Sequence, residues 1–348
     1  MKTLSIVIPT YNVEKYLERC LDTLVFDEKI QKDIELIIVN DGSKDNSLKI
    51  ARQYEKKYKD SIVVIDKENG GHGSTINAGL KVATGKYFRV IDSDDWVNID
   101  DFSKYVNDLK KLDEDIVLTN YSRELLYTGE SIKFKYKNLE YNKKYDLNKF
   151  NYSLLGLDYF FMATSTFKTE KLRKSGLILD EKTFYVDMEF ILLPFLEMED
   201  MIYLNYDIYR YFIGRPDQSI NIQSYVRNRS HHEKVLKRLL EFYLNIPKSN
   251  KRKNYIFEII SQMLNSHYII YCKAKLNSKK DINEIRIFDK YLKSNYPEFY
   301  NDIRLKHRFI KWNQKTNFIF SQCNNNLLSK LADKIENRVS RRNGQYEK

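Results

Sequence analysis

Apolar positions along the first 121 residues follow two alternating periods. Short runs of β-branched and apolar residues, typical of strands buried on both faces, are separated by segments whose apolar residues recur every three or four positions. The clearest helical stripe, with weaker ones after it, consists of Leu17, Cys20, Leu21 and Leu24. The runs predict five strands, at residues 4–9, 34–40, 61–66, 86–92 and 115–121.

Strands that alternate with helices imply right-handed crossovers, and hence an α/β fold with a mainly parallel sheet covered by helices on both faces. Ligands of such sheets bind at the carboxyl ends of the strands. This rule selects the stretches that follow strands one to four, which are PTYN, NDGSKDNS, ENGGHGS and DSDDW. We therefore expect one ligand site at this edge of the sheet.

The pattern changes after the fifth strand. Residues 122–150 are rich in Tyr and Lys, and Thr128-Gly129 predicts the turn of a hairpin or of an inserted loop. Mixed α/β character returns over 156–215, and from about residue 223 the chain is predicted to be helical, with a broad apolar stripe over 256–271.

The chain has 348 residues, of which 42% are hydrophobic and 31% charged, enough for one large domain or two smaller ones. We predict a first domain at 1–220, divided into parts 1–121 and 122–220, and a helical, basic second domain at 221–348. Three dispersed cysteines show no zinc-binding spacing and fit a reducing cytosol.

The apolar run at the N-terminus is only about six residues long, and no segment reaches the roughly 18 apolar residues of a spanning helix. We expect a cytoplasmic protein that is soluble or lies on a membrane surface. The net charge is +11, and residues 301–348 carry 11 basic against 4 acidic side chains. This basic end predicts an anionic partner surface, either phospholipid or nucleic acid, or else a solvated lysine-rich face.

The sharpest chemical signal is the carboxylate cluster after strand four. Asp92 and Asp94 lie two residues apart, with Ser93 between them and Asp95 next. Adjacent carboxylates repel one another unless a cation, a proton or hydrogen-bond donors stabilise them. Oxygen ligands without a neighbouring His or Cys suit Mg²⁺ or Mn²⁺ bound jointly with substrate phosphates.

The other three stretches admit both a structural and a binding role. Thr10 or Asn12 is suited to cap the following helix, whereas Tyr11 is suited to stack on a planar base. Asp41 fits either a turn or the recognition of a donor-rich ligand edge such as a uracil imide. The Gly-rich loop Asn69–Ser74 leads into a helix N-terminus, a place that attracts phosphate, although His72 within it is equally suited to solvent.

Together the four stretches resemble a known family. The runs SIVIPTYNVEKYLERCLDTL, ELIIVNDGSKDNS and ENGGHGSTINAGLKVATGKYFRVIDSDD are similar, in order and spacing throughout residues 3–101, to the nucleotide-binding half of family 2 glycosyltransferases of the GT-A fold. The resemblance implies that Asp41 reads the base, that Asp92 binds ribose, and that Asp94 with Asp92 binds the metal and diphosphate. The remaining nucleotide-sugar contacts that it implies are Pro9, Thr10, Tyr11, Glu14, Asn69, Gly70, His72, Ser74, Asn77 and Ser93.

One position departs from the family pattern. Many members have Arg where this chain has Ile76, so the contact made by that Arg must come from another residue. The sequence offers His72, Lys81 and Arg89. The identity of the donor base, for which UDP is expected, depends on this substitution.

The segment LDEKTFYVDMEF resembles the acceptor side of the family, where a Glu-Asp pair at the start of a helix supplies the catalytic base. This chain retains only the Asp of that pair, so Asp187 is the predicted base and Glu189 the fallback. Helix capping by Asp187 is a compatible alternative. Asp95 is assigned either to the acceptor or to the local fold.

The later stretch YRYFIGRPDQSI resembles the loop that closes over donor and acceptor. It implies that Arg210 and Arg215 neutralise the diphosphate. His231 or His232 is a further candidate metal ligand.

The sequence thus predicts an inverting, metal-dependent transfer from a nucleotide diphosphate sugar, using Mg²⁺ or Mn²⁺, to a surface glycan, teichoic-acid, lipid-linked or protein-linked acceptor. The rival hypotheses are a non-catalytic nucleotide-sugar or nucleic-acid binding module and, more remotely, a phosphatase of the haloacid dehalogenase type. The basic helical end is expected to hold the protein at the inner face of the membrane.

Overall fold

A computed structural model describes residues 2–156, 158–214, 222–273, 279–318 and 346–347. The chain divides into two compact units, residues 1–215 with 345–348, and residues 216–344. The domain boundary predicted after residue 220 stays a prediction, because residues 215–221 lie outside the described residues.

The first unit is built on a sheet whose parallel half matches the sequence prediction. Its strand order is β3-β2-β1-β4, with β1 flanked by β2 and β4 and every neighbouring pair parallel. Every residue of β1, β2 and β4 is buried, as expected for strands with apolar side chains on both faces. These strands are β1 (Leu4–Thr10), β2 (Ile34–Asp41), β3 (Ile62–Lys67) and β4 (Tyr87–Val90).

Beyond β4 the sheet becomes mixed rather than mainly parallel. The missed strand β9 is antiparallel to both β4 and β6 and lies between them, and the missed strand β10 is parallel to β6. The predicted hairpin is confirmed, since β6 and β7 pair antiparallel on either side of the Thr128-Gly129 turn. These strands are β5 (Trp96–Val97), β6 (Ile116–Leu125), β7 (Ser131–Phe134), β8 (Lys143–Asp146), β9 (Ser165–Lys168), β10 (Asp200–Ile213) and β11 (Tyr346–Glu347).

The predicted helical stripes form the buried faces of the helices in the first unit. Leu17, Cys20, Leu21 and Leu24 are all fully buried. The helices are α1 (Leu17–Val25), α2 (Glu28–Gln31), α3 (Ser47–Lys57), α4 (His72–Val82), α5 (Ile99–Leu109), α6 (Thr169–Lys174) and α7 (Asp187–Leu192), with 3₁₀ turns at Tyr152–Leu155 and Pro194–Glu197.

The second unit is helical, as predicted. The apolar stripe over 256–271 is buried along the longest of its helices, α10. None of the described helices combines the length and the apolarity that a bilayer span requires. The helices are α8 (Ile222–Arg227), α9 (Arg229–Leu244), α10 (Arg252–Lys273), α11 (Lys279–Asn295), α12 (Pro297–Lys306) and α13 (Arg308–Lys315).

Candidate active site

The loops after β1 and β2 are tied together by polar side chains. The amide of Asn12 donates to Ser43 Oγ at 3.1 Å, and Asn12 Oδ1 accepts from the amide of Lys44 at 2.7 Å. Asn12 has a positive φ of 52°, a conformation that Asn tolerates better than most residues. Glu14 accepts from both the amide and the side chain of Asn46. Two of the four predicted stretches therefore form one connected wall.

Several side chains predicted to contact the nucleotide satisfy the backbone. The hydroxyl of Thr10 is buried and donates to the carbonyl of Ile8 at 3.0 Å. The buried hydroxyl of Ser93 donates to the carbonyl of Pro9 at 2.6 Å and so joins the ends of two strands. Thr10, Pro9 and Ser93 thus have structural roles, and their predicted nucleotide contacts stay predictions. Tyr11 is 49% exposed, and its predicted stacking on a base stays a prediction.

Asp41 holds the Gly-rich loop. Its carboxylate, almost fully buried, accepts from the amides of Gly70 and Gly71, each at 2.8 Å, and from Lys67 Nζ at 2.8 Å. These donors fix the orientation of the carboxylate, and its predicted reading of a base stays a prediction. Lys67 was missed because a lysine at a strand end carries no distinctive sequence signal.

The rest of the Gly-rich loop is locked in the same way. Asn69 donates through its side chain to the carbonyl of Asp41 at 3.0 Å, and Ser74 donates to the carbonyl of Gly71 at 2.7 Å. Gly71 has a φ of 82°, which a residue with a side chain rarely adopts. The loop is therefore held in one shape that presents His72 as the first residue of α4.

His72 lies against the carboxylate cluster. Its Nε2 is 2.9 Å from Asp92 Oδ1, and the two side chains are 33% and 30% exposed, so this pair is accessible to a ligand. Burial lowers the pKa of His72, but the hydrogen bond and charge of Asp92, followed by the charges of Asp187 and Asp94, outweigh burial and raise it overall. The cationic form of His72 is thereby stabilised beside three carboxylates.

Asp95 serves the local fold, one of the two roles that the sequence left open. Its Oδ2 accepts from the hydroxyl of Tyr209 at 2.6 Å, and its Oδ1 accepts from the amide of Phe212 at 2.8 Å. The residue is 1% exposed, which favours the role in the local fold, and the acceptor-side role stays a prediction. Tyr209, from the missed strand β10, also accepts from the amide of Asp92 at 3.3 Å. It therefore connects the strand to the carboxylate turn.

The cluster concentrates negative charge. Burial, followed by the charges of Asp94 and Asp92, raises the pKa of Asp95 well above its usual value. Burial and the same carboxylates also raise the pKa of the Cys20 thiol and of the Tyr209 hydroxyl. Such a potential favours a bound cation at the turn.

Asp187 is the first residue of α7 and lies within electrostatic range of the cluster. Burial raises its pKa. The charge of His72 and the backbone amides of Met188 and Asp187 lower the pKa by less, and the charge of Asp92 raises it, so the pKa of Asp187 is raised overall. The same amides show that Asp187 also interacts with the first turn of the helix, which is compatible with the predicted base role. Tyr185, two residues earlier, has a positive φ of 69°, a strained conformation that orients the start of α7.

The segment that carries Asp187 is docked on α4. The side chain of Asn77 donates to the carbonyl of Leu179 at 2.9 Å and accepts from its amide at 2.8 Å. The close approach requires glycine, because a Cβ on Gly73 would lie 2.3 Å from the carbonyl oxygen of Asp180. Asn77 thus links two segments, and its predicted nucleotide contact stays a prediction.

Glu189, the fallback base, faces the interior. It is fully buried, and its Oε2 accepts from the amide of Asp180 at 2.9 Å. The carboxylate stabilises the turn that precedes α7, and its predicted acceptor-side role stays a prediction. Asp187 is the carboxylate of α7 that the geometry brings towards the carboxylate cluster.

With this geometry in place, the chain was compared with known proteins. The family described as Glycosyl transferase family 2 matches residues 5–173. Residues 5–173 therefore form a glycosyltransferase family 2 domain. The fold of the chain is the α/β GT-A fold, followed by a helical C-terminal region, as the sequence predicted.

One relative of the glycosyltransferase domain is the poly(ribitol-phosphate) beta-glucosyltransferase of Bacillus spizizenii, which is 41% identical over 117 residues. The match covers 33% of this chain and 18% of that protein, so the chain spans only a small part of the relative's length.

Two solved structures share the fold. S. aureus TarS, residues 1–349, in complex with UDP-GlcNAc, has a TM-score of 0.70 at 20% identity and covers 92% of this chain and 89% of its own. The mannosyltransferase PcManGT of Pyrobaculum calidifontis, in complex with GDP-Man and Mn²⁺, has a TM-score of 0.52 at 14% identity and covers 94% and 88%.

The three cations proposed to make the contact of the family Arg lie in different parts of the domain. Arg89 is fully buried and donates to Thr166 Oγ1 at 2.9 Å, so it does not reach the glycosyltransferase site. Lys81 lies near the end of α4 opposite His72, about 13 Å along the helix axis. His72 is the one of the three that the structure places at the carboxylate cluster.

Of the two arginines predicted to neutralise the diphosphate, one lies within the described residues. Arg210 bonds to Glu124 at 3.0 Å and to Asp207 at 3.2 Å, so its charge is already shared with two carboxylates. Arg215 lies outside the described residues. Their role in the glycosyltransferase stays a prediction.

The described residues supply part of a metal site. They contain no group of three or more His, Cys, Asp or Glu side chains placed to hold an ion. An ion held by Asp94 and Asp92 would therefore take its other ligands from diphosphate oxygens and water, an arrangement typical of Mg²⁺. His232 is buried in the second unit with its Nδ1 3.2 Å from Nδ1 of His267, and the metal role predicted for it or for His231 stays a prediction.

Proposed function

We propose that the protein is an inverting, metal-dependent glycosyltransferase that uses a UDP-sugar and a polyol-phosphate acceptor of the teichoic-acid type. The observation that carries the proposal is the arrangement of Asp187 and the pair Asp92 and Asp94 around His72. It combines a half-buried candidate base with a partly exposed carboxylate pair at the strand edge where ligands of α/β sheets bind.

In the proposed reaction, Asp187 accepts the proton of an acceptor hydroxyl. The oxygen of that hydroxyl attacks the anomeric carbon, and the bond from this carbon to the diphosphate oxygen breaks on the opposite side. The oxygen–carbon bond gained replaces the bond lost, the configuration inverts, and the diphosphate leaves with the electron pair. His72, at the N-terminus of α4, is placed to donate a hydrogen bond to the diphosphate. A metal ion would supply further positive charge to the leaving group.

The choice of donor and metal rests on the structural comparisons. TarS was solved with UDP-GlcNAc, and the more distant mannosyltransferase with Mn²⁺. The exposed ring of Tyr11 offers a stacking surface for a base at the same edge. UDP-hexose or UDP-N-acetylhexosamine is therefore the proposed donor class.

The proposal is tested by incubating the purified chain with a panel of nucleotide sugars and measuring slow donor hydrolysis with and without Mn²⁺ or Mg²⁺. We expect hydrolysis of a UDP-sugar that EDTA abolishes. Asp94→Ala should lose the metal-dependent part of donor binding, whereas Asp100→Ala, which removes an exposed acid from the next helix, should retain it. Hydrolysis of generic phosphate esters without activity on any nucleotide sugar would favour the phosphatase alternative.

We also propose that the basic helical unit contacts the inner leaflet of the membrane. Trp312 is 59% exposed and Leu305 is 79% exposed, and both lie close in sequence to basic residues of α12 and α13. An interfacial helix combines these features. Co-sedimentation with anionic liposomes should exceed that with neutral liposomes and decrease with salt, whereas preferential co-sedimentation with oligonucleotides would favour a nucleic-acid partner.

A further inference from the structure

The helical unit contains a cavity of about 620 Å³ that the glycosyltransferase site does not use. It lies where α8 ends and where α9 and α11 begin. Five cations and two acids line it, together with a serine and a tyrosine: Arg227, Arg229, Lys234, Lys237, Lys280, Glu233, Glu284, Ser230 and Tyr271. The excess of cations over acids favours an anionic ligand.

Four of the five cations of this cavity fall into two groups. Arg229 bonds to Asp281 at 2.7 Å and to Glu284 at 2.9 Å, and Lys237 bonds to Glu233 at 2.6 Å. Their charges are therefore largely compensated, and the pairs fix the shape of the wall.

The charges of two other cations in the cavity are not compensated in this way within the described residues. Arg227 and Lys280 are exposed and form no ion pair within the part of the chain that the structure describes. Because an arginine binds a phosphate through two parallel N–H donors, and a lysine binds it as a point charge, the two are suited to a phosphate group.

The other residues of the cavity lining indicate which class of molecule the phosphate belongs to. Carboxylates such as Glu233, together with the hydroxyl of Ser230, accept hydrogen bonds from hydroxyl groups, and they disfavour a ligand that is anionic over its whole surface. The ring of Tyr271 is 2% exposed, so it offers no platform for stacking a nucleobase. A concave site also suits one discrete group better than a planar bilayer.

We propose that this cavity binds one repeat of a phosphodiester-linked polyol, with Arg227 and Lys280 on the phosphate and the acidic and hydroxyl side chains on the polyol. The inference rests on the proposed function, since the acceptor named there is a polymer of this kind. It gives the helical unit a specific task, which is to retain the acceptor polymer through a repeat other than the one that reacts.

The test compares two double variants of the full chain that remove the same charge. Arg227→Gln with Lys280→Gln changes the cavity, and Lys248→Gln with Lys290→Gln removes two exposed lysines elsewhere in the same unit, outside α12 and α13. Binding of an oligo(ribitol phosphate) is measured by calorimetry at low salt. We expect the cavity variant to bind about tenfold or more weakly than the chain itself, because two charge-assisted contacts are lost, and the control to stay within about twofold.

Three further probes identify the ligand class, namely inorganic phosphate, a single-stranded oligonucleotide of equal phosphate number, and phosphatidylglycerol vesicles. For the oligonucleotide and the vesicles the cavity variant and the control should lose affinity equally, whereas inorganic phosphate, which reaches the same two cations, should bind the cavity variant more weakly than the control. The proposal is overturned if both double variants bind the polyol polymer alike, or if the oligonucleotide or the vesicles distinguish them as strongly as the polymer does.

Donor hydrolysis, measured on the same preparations, separates this inference from the proposed function. Both double variants should hydrolyse the UDP-sugar at the rate of the unmodified chain. If the unmodified chain hydrolyses no nucleotide sugar, the proposed function fails, whatever the polymer does. If hydrolysis is normal and polymer binding does not distinguish the variants, only the cavity assignment fails.

Discussion

The three acids of the turn after β4 have different environments although they lie within four positions. Asp95 is buried and takes two donors from β10, whereas Asp92 is 30% exposed and bonds to His72. Asp187 is distant in sequence, and its pKa is affected by burial and by the charges of both His72 and Asp92. At the scale of single residues, burial separates the acid that maintains the fold from those that are suited to chemistry.

Asp187→Asn tests the base directly. The amide keeps the shape of the side chain but accepts no proton, so transfer to an acceptor should fall about a hundredfold to ten-thousandfold, the usual contribution of a general base. The dissociation constant of the UDP-sugar, measured by calorimetry, should change little. Asp180→Asn, seven residues earlier, is the matched control. Full transfer activity in Asp187→Asn would show that another group accepts the proton.

Missed strand β10 is the element that organises the carboxylate turn. It supplies the hydroxyl of Tyr209 and the amide of Phe212 to one buried carboxylate. It also pairs with the two-residue strand β5, which directly follows the turn. The catalytic edge therefore depends on a strand more than 100 residues away in the sequence.

Tyr209→Phe should lower the free energy of unfolding by about 1–3 kcal/mol, because a buried carboxylate loses a donor. Tyr206→Phe on the same strand is the control, since its hydroxyl donates to Asp108, which is 39% exposed and regains water. Urea unfolding should show a loss of no more than about 0.5 kcal/mol for the control. Equal losses in the two variants would contradict the role assigned to the Asp95 contact.

Asn77 tests the link between helix α4 and the segment that carries the base. Asn77→Ala removes both hydrogen bonds to Leu179, and we expect transfer to fall about tenfold or more because the base shifts relative to the donor. The dissociation constant of the donor should stay within about twofold. Asn138→Ala, which removes an exposed side-chain bond to the carbonyl of Leu154, should leave both quantities unchanged. Donor binding that weakens as much as transfer would support the nucleotide contact predicted for Asn77.

At the scale of the whole molecule, the second unit contains a buried pair of histidines. His232 and His267 stack with ring planes 8° apart, and burial lowers the pKa of His232 to about 4. Burial, followed by the charges of His232, Lys237 and Arg229, lowers the pKa of His267 well below its usual value. Both rings are therefore neutral in the folded chain at neutral pH.

The pair predicts that stability decreases in acid. Between the unfolded pKa near 6.5 and the folded pKa, the unfolded chain binds more protons, so the free energy of unfolding falls as pH falls. His232 alone accounts for a loss of about 3 kcal/mol by pH 4. Denaturant unfolding followed by circular dichroism from pH 7.5 to 4.5 should show this slope, and His232→Phe with His267→Phe should flatten it. His231→Gln should leave the slope unchanged, and equal slopes in all three chains would refute the assignment.

The sequence by itself determined the elements that local patterns encode. Apolar runs and helical stripes gave the parallel half of the sheet and the buried faces of α1 and α10, because burial of an apolar face is a periodic requirement. The same reasoning located the four loops, since strand ends follow from strand positions. It missed β9 and β10, whose places in the sheet depend on pairing with β4 and β6, far away along the chain.

Only the tertiary structure decided what each polar residue does. Asp41, Ser93, Asn77 and Glu189 have the residue types of ligand contacts, yet each is engaged by backbone groups, three of them from segments more than 25 residues away. His72 and Asp187, in contrast, are brought into electrostatic range by the docking of residues 177–189 on α4. A polar side chain at a strand end satisfies its hydrogen bonds with whatever partner folding brings within reach, and the local sequence does not encode that partner.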